Sequence, residues 1–277
     1  MTARHSSVPD TAQLQAWLRA VMDIADTAAS EIMRIYAEDF SVTLKQDRSP
    51  LTAADLAAQR IIGAGLASLT PRFPMLAEES APDVFAQRRS WSTFWLVDPL
   101  DGTREFVKRN GEFTVNIALV ENSEPVLGVV CAPARAVLYG AARGSGAFRR
   151  DPDGRCRPIH VCTPAPSPLR VLGSRSHTDA VMDKLLAPLG PQTRISLGSA
   201  LKFGVLAEGG GDLYLRRGST SEWDTAAGHA VLLEAGGRVV DLSGQPLRYN
   251  LRESLINPAF MAYGDQTRDW PALLGRL

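Results

Sequence analysis

The chain is 277 residues long, 45% hydrophobic and 22% charged, the composition of a soluble globular protein with room for one large domain or two closely packed ones. Thirty Lys and Arg residues balance thirty Asp and Glu, which argues against an extended nucleic-acid or anionic-membrane surface and requires any anion site to be local. The three cysteines, Cys131, Cys156 and Cys162, are an odd number without a CxxC spacing, so no disulfide framework or zinc knuckle is implied and free thiols in a reducing cytoplasm fit best.

Taken in order, the N-terminal MTARHSSVPDTAQ lacks the apolar core of a signal peptide, and no later run reaches the length of a membrane span. Asp10-Thr11 open an amphipathic helix with Leu14, Leu18, Val21, Ala25, Ala28, Ile32 and Ile35 at helical spacing. A polar link from Asp39 to Leu51 ends at Ser49-Pro50. Thr52 then caps a helix that carries Leu56, Ile61, Ile62 and Leu66 inward until Pro71 and Pro74 stop it. Residues 73–77 read as a short strand delivering Glu78-Glu79, and 94–97 as a buried strand delivering Asp98. Segments 115–120, 125–132, 137–142 and 146–149 predict successive antiparallel strands, with Gly144-Ser145-Gly146 as a hairpin turn. A polar, Pro-rich passage over 149–168 reads as the domain boundary, dividing an N-terminal α+β domain (1–165) from a smaller C-terminal one (166–277). Beyond it, strands at 169–172, 193–197, 212–215 and 238–241 alternate with helices at 179–186, 199–208 and 223–235, which predicts an α/β layer.

The chemistry centres on Asp98-Pro99-Leu100-Asp101-Gly102-Thr103. Pro99 pushes Asp98 away from helical geometry, and the resulting turn swings Asp101 to its side. Gly102 permits close backbone approach, and a short helix from Thr103 would aim free N–H groups at the same point. Carboxylates for a hard divalent cation beside N–H groups for an anion suit metal-assisted phosphate chemistry. The plainer reading is an Asx turn leading into a helix cap. Asp224 has the same two readings, cap or ligand, because it falls in the first turn of a helix. His229, on the far side of that helix, reads as a satisfied packing residue. His177 sits in a Ser/Gly-rich loop where binding residues are displayed, and Lys202 and Arg216 are either a basic rim or ordinary surface.

Glu78-Glu79, the run from Asp98 to Thr103, and Trp223-Asp224-Thr225-Ala226-Ala227-Gly228 resemble the signatures of the inositol monophosphatase superfamily of magnesium-dependent, lithium-sensitive phosphatases, in the same order and over nearly the whole chain. Residues 45–55 and 104–116, with Ser174-Arg175-Ser176-His177 and Leu201-Lys202-Phe203, are similar to its branch of bacterial 3′(2′),5′-bisphosphate nucleotidases. The resemblance implies a layered αβαβα sandwich with the site at the domain junction. It implies two or three Mg²⁺ ions held by Glu78, Asp98, the Leu100 carbonyl, Asp101 and Asp224, groups that would also border the substrate. Asp55 and Thr103 would orient and deprotonate the attacking water, and the Gly102 and Thr103 amides would cradle the phosphate. Ser176, His177, Ser199, Lys202 and Arg216 would hold the nucleotide. Ala77 departs from the Gly or Ser that relatives often carry there.

The activity implied is removal of the 3′-phosphate from 3′-phosphoadenosine 5′-phosphate, or from its sulfated analogue. Inositol phosphate or fructose bisphosphate hydrolysis is the alternative within the fold, and a non-catalytic nucleotide sensor the alternative of another class. The expected partners are a small bisphosphate nucleotide and no nucleic acid, in a cytoplasmic monomer or homodimer with or without peripheral contact with the inner membrane.

Overall fold

The computed structural model describes residues 9–44, 50–175 and 180–274. Asp10 caps α1 (Thr11–Ala37), its carboxylate accepting from Gln13 N at 2.8 Å, and the stripe from Leu14 to Ile35 is buried. After β1 (Val42–Leu44) and β2 (Pro50–Thr52), Thr52 caps α2 (Ala53–Ala67) in a reciprocal box with Asp55. Then follow β3 (Met75–Ala77), α3 (Pro82–Gln87), β4 (Thr93–Asp101), α4 (Thr103–Val107), β5 (Thr114–Glu121), β6 (Glu124–Ala132), β7 (Val137–Ala142), β8 (Ala147–Arg150) and β9 (Cys156–Ile159). These strands form a seven-stranded sheet in sequence order, antiparallel throughout except for the β3–β4 pair.

The remainder comprises β10 (Leu169–Ser174), α5 (Ala180–Leu186), β11 (Gln192–Leu197), α6 (Leu201–Ala207), β12 (Leu213–Arg216), α7 (Glu222–Glu234), β13 (Arg238–Asp241), β14 (Phe260–Tyr263) and α8 (Trp270–Leu274). Its strands make a mixed five-stranded sheet in the order β11-β10-β12-β14-β13.

Alternation along the strands of the first sheet sends side chains to two cores. Trp95, Val97, Val115, Ile117 and Leu119 pack with α1 and α2, whereas Phe94, Leu96, Ala118 and Val120 join α6 and α7 in a core that continues to Tyr214 and Phe260 of the second sheet. Leu186, Leu213, Leu215, Met261 and Trp270 close the outer face of that second sheet with α5 and α8. The layers therefore run α, β, α, β, α, as the resemblance implies.

Two sequence readings change. The polar passage after Arg150 contains β9, an edge strand in which Pro158 faces Phe148, and an edge is where a residue without an N–H is tolerated. Strand β4 does not stop at Val97: it runs through Pro99 to Asp101, with a register shift against β5 between Asp98 and Asp101 that absorbs the missing N–H. No helix among the described residues is long and apolar enough to cross a membrane.

Candidate active site

The bulge in β4 is what brings the acids round. Asp98 is buried to 1% exposure, not displayed at a strand end as its sequence position suggests, and its Oδ1 accepts from Leu100 N at 3.0 Å. The parallel neighbour β3 ends one residue before Glu78, whose N–H donates to Val97 O at 3.2 Å and so fixes it beside Asp98. Asp101 Oδ2 accepts from Ala200 N at 2.7 Å and from Asn116 Nδ2 at 3.4 Å, which ties β4 to the start of α6.

Gly102 has φ +89°, and a Cβ there would stand 3.1 Å from Glu112 O and 3.3 Å from Ser199 Cβ. Only glycine meets both demands. Asp224 arrives on α7, where Ser221 N donates to its Oδ2 at 2.8 Å in a capping box. The helix can lie close to the first sheet because Gly128 faces it: a Cβ on Gly128 would be 2.2 Å from Ala227 O.

Thr103 Oγ1 lies 3.3 Å from Asp55 Oδ1 and 3.3 Å from Leu100 O. The other oxygen of Asp55 accepts from Thr52 N (2.8 Å) and Thr52 Oγ1 (2.7 Å), so the cap of α2 holds the carboxylate in place.

Burial drives the pKa of Asp98 well above the usual carboxylate range, and Glu78, Asp101, Asp224 and Asp55 add to it in that order. Burial, then Asp101, does the same to Asp224. Asp101 is raised less, because Lys202 and the Ala200 amide oppose its burial. These five acids therefore stand close enough to repel one another. They are not drawn to one point, since no group of three or more His, Cys, Asp or Glu among the described residues could hold a metal ion as it stands.

A cavity of about 120 Å³ opens beside them, lined by Asp101, Gly102, Ser199, Lys202, Arg216 and Asp224 among others. Lys202 is not a surface residue: it is buried, its Nζ donates to Leu197 O (3.1 Å) and Ser199 O (2.6 Å), and burial pushes its pKa down to about 8 against the pull of Asp101. Arg216 reaches back to Gly218 O and Ser219 O. Ser176 and His177 lie outside the described residues.

Glu112 escaped residue-by-residue reading. It is buried and accepts from Arg175 (2.7 and 2.8 Å), Arg135 (2.9 Å) and Gly198 N (2.8 Å), which fixes the segment carrying Ser199 and Ala200 against the turn that leads into β5. Those partners lie 23 to 86 residues away in sequence, so no local pattern announces them.

The donors around Asp98 are all oxygens, without histidine or cysteine, the set preferred by a hard cation such as Mg²⁺ over zinc. Buried acids that face one another also call for positive charge, and the charges acting most strongly on Asp98 are all negative. Both observations fit a divalent-cation site.

A family model described as the inositol monophosphatase family matches residues 13–269. The 3′(2′),5′-bisphosphate nucleotidase CysQ of Escherichia coli K12 is 49% identical over 245 residues, covering 88% of this chain and 98% of that protein. Its namesake from Aggregatibacter actinomycetemcomitans is 38% identical, covering 92% and 94%. Among solved structures, CysQ from Bacteroides thetaiotaomicron superposes with a TM-score of 0.79 at 40% identity, over 90% of this chain and 97% of that one. An inositol monophosphatase from Thermotoga maritima gives 0.77 at 26% identity, over 94% and 96%.

Proposed function

The chain belongs to the inositol monophosphatase family, and from that premise we propose that it is a Mg²⁺-dependent 3′(2′),5′-bisphosphate nucleotidase that hydrolyses 3′-phosphoadenosine 5′-phosphate to AMP and inorganic phosphate. The sulfated analogue, 3′-phosphoadenylyl sulfate, is the second substrate. The observation that carries the reading is the group of buried acids around Asp98, set beside a cavity lined by Asp101 and Asp224 together with Lys202 and Arg216. Substrate choice rests on the likeness to the CysQ proteins.

Glu78, Asp98, the Leu100 carbonyl, Asp101 and Asp224 would hold two or three Mg²⁺ ions, which when bound supply neutralisation of the phosphate, ionisation of water and stabilisation of the leaving alkoxide. Thr103 and Asp55 handle the proton. Asp55 Oδ1, fixed through Thr52, accepts from Thr103 Oγ1; the hydroxyl oxygen in turn accepts from the attacking water and passes its proton to the carboxylate. The water oxygen bonds to phosphorus as the bond from phosphorus to the 3′ oxygen breaks, and no residue is positioned as a covalent nucleophile with its own base. The Gly102 and Thr103 amides receive the scissile phosphate, while Lys202, Arg216 and Ser199, with Ser176 and His177, hold the nucleotide and its 5′-phosphate. On this reading a two-domain division near residue 165 would put Asp224 and the nucleotide contacts in the C-terminal part.

Turnover on 3′-phosphoadenosine 5′-phosphate, inositol-1-phosphate and fructose-1,6-bisphosphate with Mg²⁺ tests the proposal. Preference for the nucleotide is expected; preference for either sugar phosphate removes the substrate assignment, and absence of phosphate release from all three supports a sensor.

A further inference from the structure

Three turns meet at Glu112. Its backbone oxygen would stand 3.1 Å from a Cβ on Gly102 and 2.6 Å from a Cβ on Gly198, so the entry to β5 is pressed between the β4–α4 turn and the β11–α6 turn, and glycine on both sides is what permits the approach.

The side chain then fastens the second of these turns. Glu112 Oε2 accepts from Gly198 N at 2.8 Å and from Arg175 Nε at 2.7 Å, while Oε1 accepts from Arg175 Nη2 (2.8 Å) and Arg135 Nη2 (2.9 Å). The carboxylate is 5% exposed, whereas the side chains of Arg175 and Arg135 are 48% and 40% exposed. Burial pushes its pKa up, but Arg175, the Gly198 amide and Arg135 outweigh burial and hold it below the ordinary carboxylate range, so Glu112 is ionised at neutral pH.

The turn held in this way is strained. Ser199 has φ +47°, a left-handed geometry that a serine keeps only where its surroundings impose it. Four backbone groups do so: Gly198 N on Glu112, Leu197 O and Ser199 O on Lys202 Nζ (3.1 and 2.6 Å), and Ala200 N on Asp101 Oδ2 (2.7 Å). The last bond reaches the acid group. Asn116 Nδ2 approaches the same oxygen only to 3.4 Å, so the Ala200 amide is the stronger of the two donors that orient Asp101.

On the metal-dependent reading of the acids, on which this role depends, we propose that Glu112 is a positioning residue for the cation site: by anchoring Gly198 it keeps Ser199 in its left-handed geometry and the Ala200 amide on Asp101 Oδ2, so that the Asp101 carboxylate is already oriented when Mg²⁺ binds. What Glu112 contributes is reach to one amide and not its charge, which faces two half-exposed arginines that water can solvate in its place.

Calorimetric titration of Mg²⁺ into the full chain tests this. Glu112→Gln keeps an oxygen within reach of Gly198 N and should bind Mg²⁺ about as tightly as the wild type. Glu112→Asp keeps the charge but is one methylene short, and its affinity should fall about tenfold or more. Gly198→Ala, whose methyl would meet Glu112 O at 2.6 Å, should push the turn away and weaken Mg²⁺ by a similar factor. Joining it to Glu112→Asp should add little, because both changes break the same bond. Asp265→Ala, destabilised far from this turn, should bind as the wild type does, which separates positioning from lost stability. Should either Glu112→Asp or Gly198→Ala fail to fold, the other decides together with Glu112→Gln. Wild-type affinity in Glu112→Asp, a loss in Glu112→Gln as large as in Glu112→Asp, or an equal loss in Asp265→Ala would each overturn the role of Glu112 while leaving the metal-dependent reading intact; a wild type that binds no Mg²⁺ would remove both.

Discussion

Asp265 and Asp98 are both buried acids, at 0% and 1% exposure, yet their surroundings are opposite. Burial alone would raise Asp265, but Ala165 N (2.9 Å), Thr267 Oγ1 (2.6 Å), Thr267 N (2.9 Å) and Thr163 Oγ1 (3.3 Å) donate to it and hold its pKa down at about 2. Asp98 accepts from Leu100 N and faces Glu78, Asp101, Asp224 and Asp55, all of which push it up. The fold therefore satisfies a buried carboxylate completely where the role is structural, and leaves several acids facing one another where the proposed function calls for a cation. Asp212, gripped by both ends of the Arg170 guanidinium at 3.0 and 2.6 Å, belongs with Asp265.

The contrast breaks first, and most visibly, on substitution. Asp98→Asn should lower phosphate release by about 10³-fold or more while leaving melting in EDTA unchanged or raised, because the proposed metal contact and a like-charge repulsion are removed together. Asp265→Ala should do the reverse, losing about 2 kcal/mol in a urea titration as four donors lose their acceptor, with turnover per folded molecule unchanged. If Asp98→Asn unfolds the chain or Asp265→Ala abolishes turnover, the division between the two kinds of acid fails.

Thr103→Val sharpens the account within the active group. Removing the hydroxyl that in the proposed mechanism links Asp55 to the water should cost about 10²-fold in kcat with little change in KM, and Thr103→Ser should recover most of it. Full turnover in Thr103→Val would place the proton transfer elsewhere.

The last effect is on pH dependence. His229 has its folded pKa depressed to about 3 from 6.5, so the unfolded chain binds the extra proton between those values. Its contribution to stability is complete above pH 6.5 and falls as pH drops below it, by about 1.4 kcal/mol per unit until the folded pKa is reached. Asp265, depressed from 3.8 to about 2, adds a loss in the same direction at the acid end of that range. Urea titrations of wild type and His229→Asn between pH 7 and pH 4 check this: the variant should show the flatter slope.

Much of this was legible in the chain itself. The buried stripe of α1, the cap at Thr52 and the acids after β3 and in β4 follow from periodicity, side-chain capping and strand composition, and the likeness to a known family supplied the layer order. What was hidden depended on distant partners. Pro99 signals a chain break locally, but pairing with β5 on either side of the bulge carries β4 through it. Pro158 reads as linker until its place at the sheet edge is known. The burial of Lys202 is imposed by carbonyls of Leu197 and Ser199 together with the ring of Tyr214, 5.4 Å from the ammonium, and the role of Glu112 by arginines from two other segments. Such contacts leave no periodic trace.

The most direct test of the central claim, that the acids around Asp98 are assembled for a divalent cation, is a calorimetric titration of Mg²⁺ into the wild type and Asp98→Asn. The wild type should bind Mg²⁺ with release of protons as the raised carboxyls ionise, and the variant should lose that binding; equal Mg²⁺ affinity in the two proteins would contradict the account.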